Sequence, residues 1–216
     1  MAATTHSTST ALRLSQELLS QLSQHGNVRT YPAKTILIYE GDDSNSLFVI
    51  VSGRVKVYLC DNDGREVTLT TQGPGEYFGE MVLDGGLRSA SVVTLEPTQC
   101  LVLPHGEVEE FVMCHPDFAL QLIRDLMRRT RRLTENVRNL ALLDVYGRVA
   151  RVLLELAHEV DGRLVIAERL TQQDIANRVG ASREMVSRIL KDLERGGYIH
   201  QEGGRFLIDR TPPSHW

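Results

Sequence analysis

The run TQQDIANRVGASREMVSRILKDL, residues 171–193, holds two helix starts on either side of one helix stop. Thr171 is a favoured N-cap, and the pattern predicts a short helix over Gln172–Val179 with Ile175, Ala176 and Val179 facing inward. Ala176 is small enough to let a second helix cross closely. Gly180 can take the left-handed conformation that ends a helix cheaply. Ser182 then caps a second helix, on which Val186, Ile189, Leu190 and Leu193 recur at i, i+3, i+4 and i+7 as a core face. Arg183, Glu184, Ser187, Arg188 and Lys191 occupy the other face. Helix, glycine turn and capped helix at this spacing form a helix-turn-helix.

Downstream, Tyr198–His200 and Arg205–Ile208 read as two short strands around Gln201-Glu202-Gly203-Gly204, which makes a wing. Double-stranded DNA is the partner this module implies. Arginine pairs bidentately with guanine and a carboxylate accepts from the cytosine amine. Arg183, Glu184 and Arg188 supply both kinds of group on adjacent turns. Glu184 would repel a surface that only touches phosphate, so its presence points to base reading. Thr171, Gln172, Gln173 and Ser182 sit at helix N-termini, where side chains and backbone N–H groups can hold phosphates. Lys191 has the reach for base edges or phosphates.

Upstream of the module, Asp144 is expected to cap a helix whose buried stripe is Val145, Val149, Val152, Leu153 and Leu156, ended by Asp161-Gly162. A short strand, Leu164–Ile166, follows. Before that helix, Pro116 suits a first helical position. From there Ile123, Leu126, Thr130, Leu133, Val137 and Leu140 recur at steps of three and four, the spacing of a coiled-coil seam. Arg124, Arg128, Arg129, Arg131, Arg132 and Arg138 crowd the other faces. A long helix with so narrow an apolar stripe calls for a partner, and a two-fold homodimer through 116–140 is predicted.

Between about Tyr31 and Leu103 the pattern is strand-like, with runs at Thr35–Tyr39, Ser46–Ser52, Arg54–Leu59, Glu66–Thr71, Ser89–Leu95 and Thr98–Leu103. Glycines punctuate it, and Asp61-Asn62-Asp63-Gly64 reads as a hairpin turn. Short strands at near-regular spacing indicate an antiparallel sandwich or barrel. Residues 1–12 are small and polar and are expected to form a disordered tail, not a signal or transit peptide.

The chain has 216 residues, 42% hydrophobic and 24% charged, enough for a folded protein of one large domain or two modest ones. Its net charge is -4. Residues 169–216 carry eight Lys/Arg against six Asp/Glu, so the basic part coincides with the helix-turn-helix. Cys60, Cys100 and Cys114 are scattered and odd in number, which argues against a disulfide framework, a zinc site or an iron–sulfur cluster. No metal site and no membrane span are expected, and a cytoplasmic location is. There is no Walker loop, GxSxG or HExxH, and the glycines of 73–86 lie among strands, so an enzyme is not expected.

Taken together, the chain from about Tyr31 to Ile208 resembles the CRP/FNR family of bacterial transcription regulators. Asn139-Leu-Ala-Leu-Leu-Asp144-Val145 looks like the family's hinge, and Gly180–Leu190 like its recognition helix. Phe78-Gly79-Glu80-Met81 with Arg88-Ser89-Ala90 resembles its phosphate-binding cassette. The resemblance implies an α+β fold: an N-terminal effector-sensing β-roll (cupin-like, of the cyclic-nucleotide-binding type) with an N-terminal helix over 13–112, a long dimerisation helix over 113–141, and a C-terminal winged helix-turn-helix over 142–216. It implies that Arg183, Glu184 and Arg188 read a palindrome of TGTGA-like half-sites, spaced about one helical turn, ~34 Å. It also implies an effector site. Arg88 would neutralise a cyclic phosphate, Ser89 would donate to it, and Glu80 would hold the ribose hydroxyl. Gly79 would let the backbone approach. Met81, Arg129, Leu133 and Thr134 would complete the surround, with Thr134 contributed across the dimer. The loop between Glu80 and Arg88 is shorter than in the cyclic-AMP-binding members, Leu133 replaces a threonine that contacts adenine, and the segment Glu159–Glu168 is shortened. Cyclic AMP or a cyclic dinucleotide is the implied effector, with redox, haem, another metabolite or no ligand left open. RNA polymerase is the implied protein partner.

Overall fold

The strand Ser46–Ser52 (β3) is apolar at consecutive positions, and the fold uses both of its faces. The computed structural model describes residues 13–160 and 162–213; the expected tail at 1–12 lies outside them. Leu47 and Val49 point to one core, Phe48 and Ile50 to another, because successive strand side chains alternate. The first core is closed by helices. It holds Leu18 and Leu22 of α1 (Gln16–Leu22), Val108 and Phe111 of α2 (His105–Cys114), and Phe118 and Leu122 at the start of α3 (Pro116–Leu142). The second lies between two four-stranded antiparallel sheets and contains Ile38, Val55, Phe78, Val92 and Cys100. Phe48 and Phe78 stack there with ring centroids 4.9 Å apart.

One sheet has the order β1-β8-β3-β6, from Asn27–Tyr31 (β1), Thr98–Pro104 (β8) and Tyr77–Phe78 (β6) around β3. Its register sets Leu47 against Leu103 and Val49 against Leu101. The other has the order β2-β7-β4-β5, from Ile36–Ile38 (β2), Ser91–Thr94 (β7), Val55–Cys60 (β4) and Glu66–Gln72 (β5). The β4–β5 turn is tied by Gly64 N–H donating to Asp61 O at 3.1 Å. A single 3-10 turn, Glu80–Leu83, follows β6.

The described residues form two compact units, divided within α3 between Arg129 and Thr130; Arg65–Val67 groups with the second. Helix α3 spans 27 residues and starts at Pro116. Beyond Leu122 its one buried residue is Asp125. Ile123, Leu126, Leu133, Val137 and Leu140 are all exposed, and Leu120 and Met127 extend the same apolar character.

In the second unit Asp144 caps α4 (Val145–Leu156) by accepting from Gly147 N–H at 2.7 Å. Val149 and Leu153 are buried as expected, and Tyr146 and Ala150 join them. The expected continuation to Asp161-Gly162 is corrected. The helix stops at Leu156 because Ala157 turns extended (φ -78°, ψ 138°) and starts a strand, β9 (Ala157–Val160). That strand pairs with β10 (Arg163–Ile166), Ala157 opposite Ile166 and Val160 opposite Arg163. It satisfies the backbone edge of β10 that a longer helix would leave bare. Helices α5 (Gln172–Val179) and α6 (Arg183–Arg195) follow, then β11 (Ile199–Glu202) and β12 (Arg205–Ile208), which complete a sheet of order β11-β12-β10-β9.

Candidate DNA interface and effector site

Ile175, Ala176, Val179, Val186, Ile189, Leu190 and Leu193 form one core with Val149, Leu153 and Phe206. Gly180 between the helices is left-handed (φ 64°, ψ 46°). Ser182 caps α6 by accepting from Met185 N–H at 3.2 Å. With one face of α6 so committed, the opposite face is free: Ser182, Arg183, Glu184, Arg188 and Lys191 are exposed. The wing turn at Gly203-Gly204 has both residues at positive φ, the geometry of a tight two-residue hairpin.

The start of α5 is occupied in a way that the sequence reading missed. Thr171 Oγ accepts from Asp174 N–H at 3.1 Å and donates to Asp174 Oδ2 at 2.7 Å, while Thr171 N–H donates to that same oxygen at 2.8 Å. This capping box satisfies two backbone donors and leaves a carboxylate at the helix N-terminus. The Thr171 hydroxyl is therefore engaged within the helix cap. Gln172 is half-buried; Gln173 is exposed and donates to Asn177 Oδ1 at 2.7 Å. Arg148 of α4 is a second residue not anticipated. Its guanidinium donates to Val179 O at 3.0 Å and to Leu143 O at 3.1 Å, joining the end of α5 to the residue before the α4 cap.

In the first unit, two arginines from separate stretches converge on Gly79-Glu80. Arg88 is buried and donates from Nη1 to Gly79 O at 2.9 Å and from Nη2 to Ser46 O at 2.8 Å. Burial lowers its pKa from the ordinary arginine value, and the charges of Glu80 and Asp42 oppose that shift. Arginine starts so high that it remains a cation. Glu80 is bonded instead by Arg129 of α3, at 2.6 Å, with both side chains largely buried. Arg129 also donates to Tyr77 O at 2.8 Å. Gly79 has φ +84°, and a Cβ there would lie 2.7 Å from Arg88 Nη1 and 3.0 Å from Ser46 O. The room that glycine leaves is thus taken by the arginine side chain.

The other expected effector residues are more dispersed. Met81 lies in the 3-10 turn and is half-buried, and Ser89 is exposed. Leu133 and Thr134 stand beyond Arg129 on α3, in the second unit, and both are exposed; the Thr134 hydroxyl donates to Thr130 O at 3.0 Å. Among the described residues no cluster of His, Cys, Asp and Glu able to hold a metal ion is present, and no helix is long and apolar enough to cross a membrane.

Comparison with known proteins matches both halves. Residues 28–115 match the cyclic nucleotide-binding domain and residues 147–211 the Crp-like helix-turn-helix domain. Over 183 residues the chain is 37% identical to a CRP-like cAMP-activated global transcriptional regulator of Mycobacterium tuberculosis, covering 82% of each chain. Over 192 residues it is 35% identical to the cAMP-activated global transcriptional regulator CRP of Haemophilus influenzae, covering 85% of this chain and 84% of that one. Among solved structures, the c-di-GMP responsive global regulator CLP of Xanthomonas campestris superposes with a TM-score of 0.79 at 26% identity, over 90% of this chain and 99% of that one. The catabolite activator protein of Thermus thermophilus gives 0.55 at 31% identity over 92% of each. The relatives named here are transcription regulators, and with a cyclic nucleotide-binding domain ahead of a Crp-like helix-turn-helix this chain belongs to the CRP/FNR family of bacterial transcription regulators.

Proposed function

We propose that the protein is a homodimeric, sequence-specific DNA-binding regulator whose operator affinity is set by a cyclic nucleotide bound in the β-roll. The observation that carries the reading is the convergence of Arg88 and Arg129 on Gly79-Glu80. Arg88 bonds only neutral carbonyls, with Glu80 and Asp42 as nearby charges and Glu80 itself paired to Arg129, so its guanidinium remains available to an anionic phosphate. Arg88 serves the phosphate, with Ser89 at its rim. Glu80 and Arg129 serve the sugar and base side, with Met81, Leu133 and Thr134 as further contacts.

Dimerisation through 116–140 buries the exposed stripe of α3. Arg183, Glu184 and Arg188 read TGTGA-like half-sites of a palindrome, and Ser182, Gln172, Gln173 and Lys191 hold phosphates. Thr171 contributes through its cap. Effector binding shifts the population toward the arrangement that fits successive major grooves. RNA polymerase is the protein partner of such a regulator, and the cytoplasm its place of work. Calorimetry with cyclic AMP, paired with fluorescence anisotropy on a labelled palindrome, tests the reading. Binding of cyclic AMP with a gain in operator affinity supports it; no heat and no gain removes cyclic AMP as effector.

A cyclic dinucleotide is the second reading, favoured by the likeness to the c-di-GMP responsive regulator of Xanthomonas campestris. The same titration with cyclic di-GMP decides between the two.

A further inference from the structure

Among the described residues, Asp125 is the one buried carboxylate, at 0% exposure, and it sits on a helix otherwise crowded with exposed arginines. A buried charge is costly unless it is paired and hydrogen-bonded. Asp125 is both. Its Oδ2 accepts the phenolic O–H of Tyr77 at 3.1 Å, and its Oδ1 accepts from Arg128. One turn later on α3, Arg129 donates to the carbonyl oxygen of the same Tyr77 at 2.8 Å, and its guanidinium lies 5.1 Å from the Tyr77 ring centroid. Gln72 Nε2 joins at that carbonyl at 2.9 Å. Tyr77 is itself wholly buried on β6, two residues before Gly79. The i, i+4 pair Asp125 and Arg129 therefore grips one residue at its two ends.

A single contact lets a helix swivel, and apolar contacts let it slide. Two directional bonds one turn apart fix both rotation and translation of α3 against β6. The two bonds are not equivalent. Arg129 also bonds Glu80, so a ligand that engages Glu80 perturbs that attachment. Asp125 touches neither Glu80 nor Arg88 and is left as the fixed point.

We propose that Tyr77 and Asp125 are positioning residues: their buried bond is the pivot about which the long helix responds to occupancy of the effector site. The proposal rests on the reading of Arg88, Glu80 and Arg129 as that site. An apolar residue at position 125 would fill the same space, but it would not define an angle.

The full-length protein tests this with two variants, Tyr77→Phe and Asp125→Asn, with cyclic AMP as the probe. Tyr77→Phe keeps the ring and removes the donor; Asp125→Asn keeps an acceptor for the phenol. In Tyr77→Phe, cyclic AMP affinity stays within about threefold of the unmodified protein, while the cyclic-AMP-dependent gain in operator affinity falls by about fivefold or more. Asp125→Asn retains most of the gain. A purely structural role would lower the melting temperature and leave the gain alone, and an unchanged gain in Tyr77→Phe overturns the proposal. If the unmodified protein does not respond to cyclic AMP, that nucleotide is removed as effector and hydrogen exchange decides the pivot. Peptides covering 122–130 then exchange about tenfold faster in Tyr77→Phe, with those of α6 unchanged; equal protection in both proteins overturns the proposal.

Discussion

Arg88 Nη1 donates to the carbonyl of Gly79 at 2.9 Å, and a Cβ placed on that glycine would meet the same nitrogen at 2.7 Å. The guanidinium position depends on the glycine, because a side chain at 79 would occupy the space that Arg88 fills. Gly79→Ala is expected to displace Arg88 and to lower folding stability by about 1–3 kcal/mol, the usual cost of forcing a side chain into a rare backbone region. Effector affinity falls with it, by about tenfold or more. Calorimetry for the ligand and urea melts for the fold check the two effects separately.

Glu184 is exposed at the start of α6, beside two arginines. Glu184→Ala removes the proposed acceptor for the cytosine amine but also a negative charge. Overall DNA affinity therefore changes little, while preference at one base pair of each half-site drops by about 1–3 kcal/mol. A binding-site selection reads this directly: an unchanged preference at every position refutes the role of Glu184.

The seam of α3 leaves Leu133, Val137 and Leu140 at 52%, 65% and 56% exposure. Burial against a second copy stabilises by about 1.5–3 kcal/mol for each large apolar side chain fully covered. Val137→Asp puts a charge in the centre of that stripe. Sedimentation velocity is expected to report a monomer for the variant and a dimer for the unmodified chain, with operator binding lost in parallel. A dimeric Val137→Asp protein would place the interface elsewhere.

Cys100 is wholly buried between the sheets, and burial pushes its thiol up to about 12, whereas Cys60 and Cys114 are exposed. The folded state thus holds the Cys100 proton more tightly than the unfolded chain does. The stability that this contributes is fully present below the ordinary thiol value of 9.0 and is lost as pH rises toward about 12. Urea midpoints should fall over that alkaline range, less steeply in Cys100→Ala, with Tyr77 adding to the residual slope because its phenol is also raised, first by burial and then by Asp125. At pH 8, a thiol reagent should modify two cysteines of the native protein quickly and the third only on unfolding.

Much of this architecture is legible in the sequence where a local rule determines the outcome. Thr171, Gly180 and Ser182 mark helix ends by their own chemistry: α5 spans the expected Gln172–Val179 and α6 starts right after Ser182, running on to Arg195. Pro116 starts α3 for the same reason. What escapes the sequence is set by distant partners. β6 is two residues long, too short for any periodicity, and it exists because Phe48 and Val49 pair with it. β9 has an unremarkable composition and is extended only because β10 lies beside it. Helix α2 buries just Val108 and Phe111, which is too weak a pattern to separate it from the flanking strand and helix. At the proposed effector site the cassette residues are recognisable, but their pairing is not: Glu80 belongs to Arg129, 49 residues away, and Arg88 to two backbone carbonyls. Asp125 reads as one more solvated charge among arginines until Tyr77 is seen to reach it.

Arg88 is hydrogen-bonded by neutral carbonyls, not by a carboxylate. An incoming anion therefore has no salt bridge to break at that nitrogen, only two dipoles to outbid. On the proposed reading, capture of an anionic effector is then governed by encounter, and the lifetime of the bound state is where effectors of different shape would be told apart.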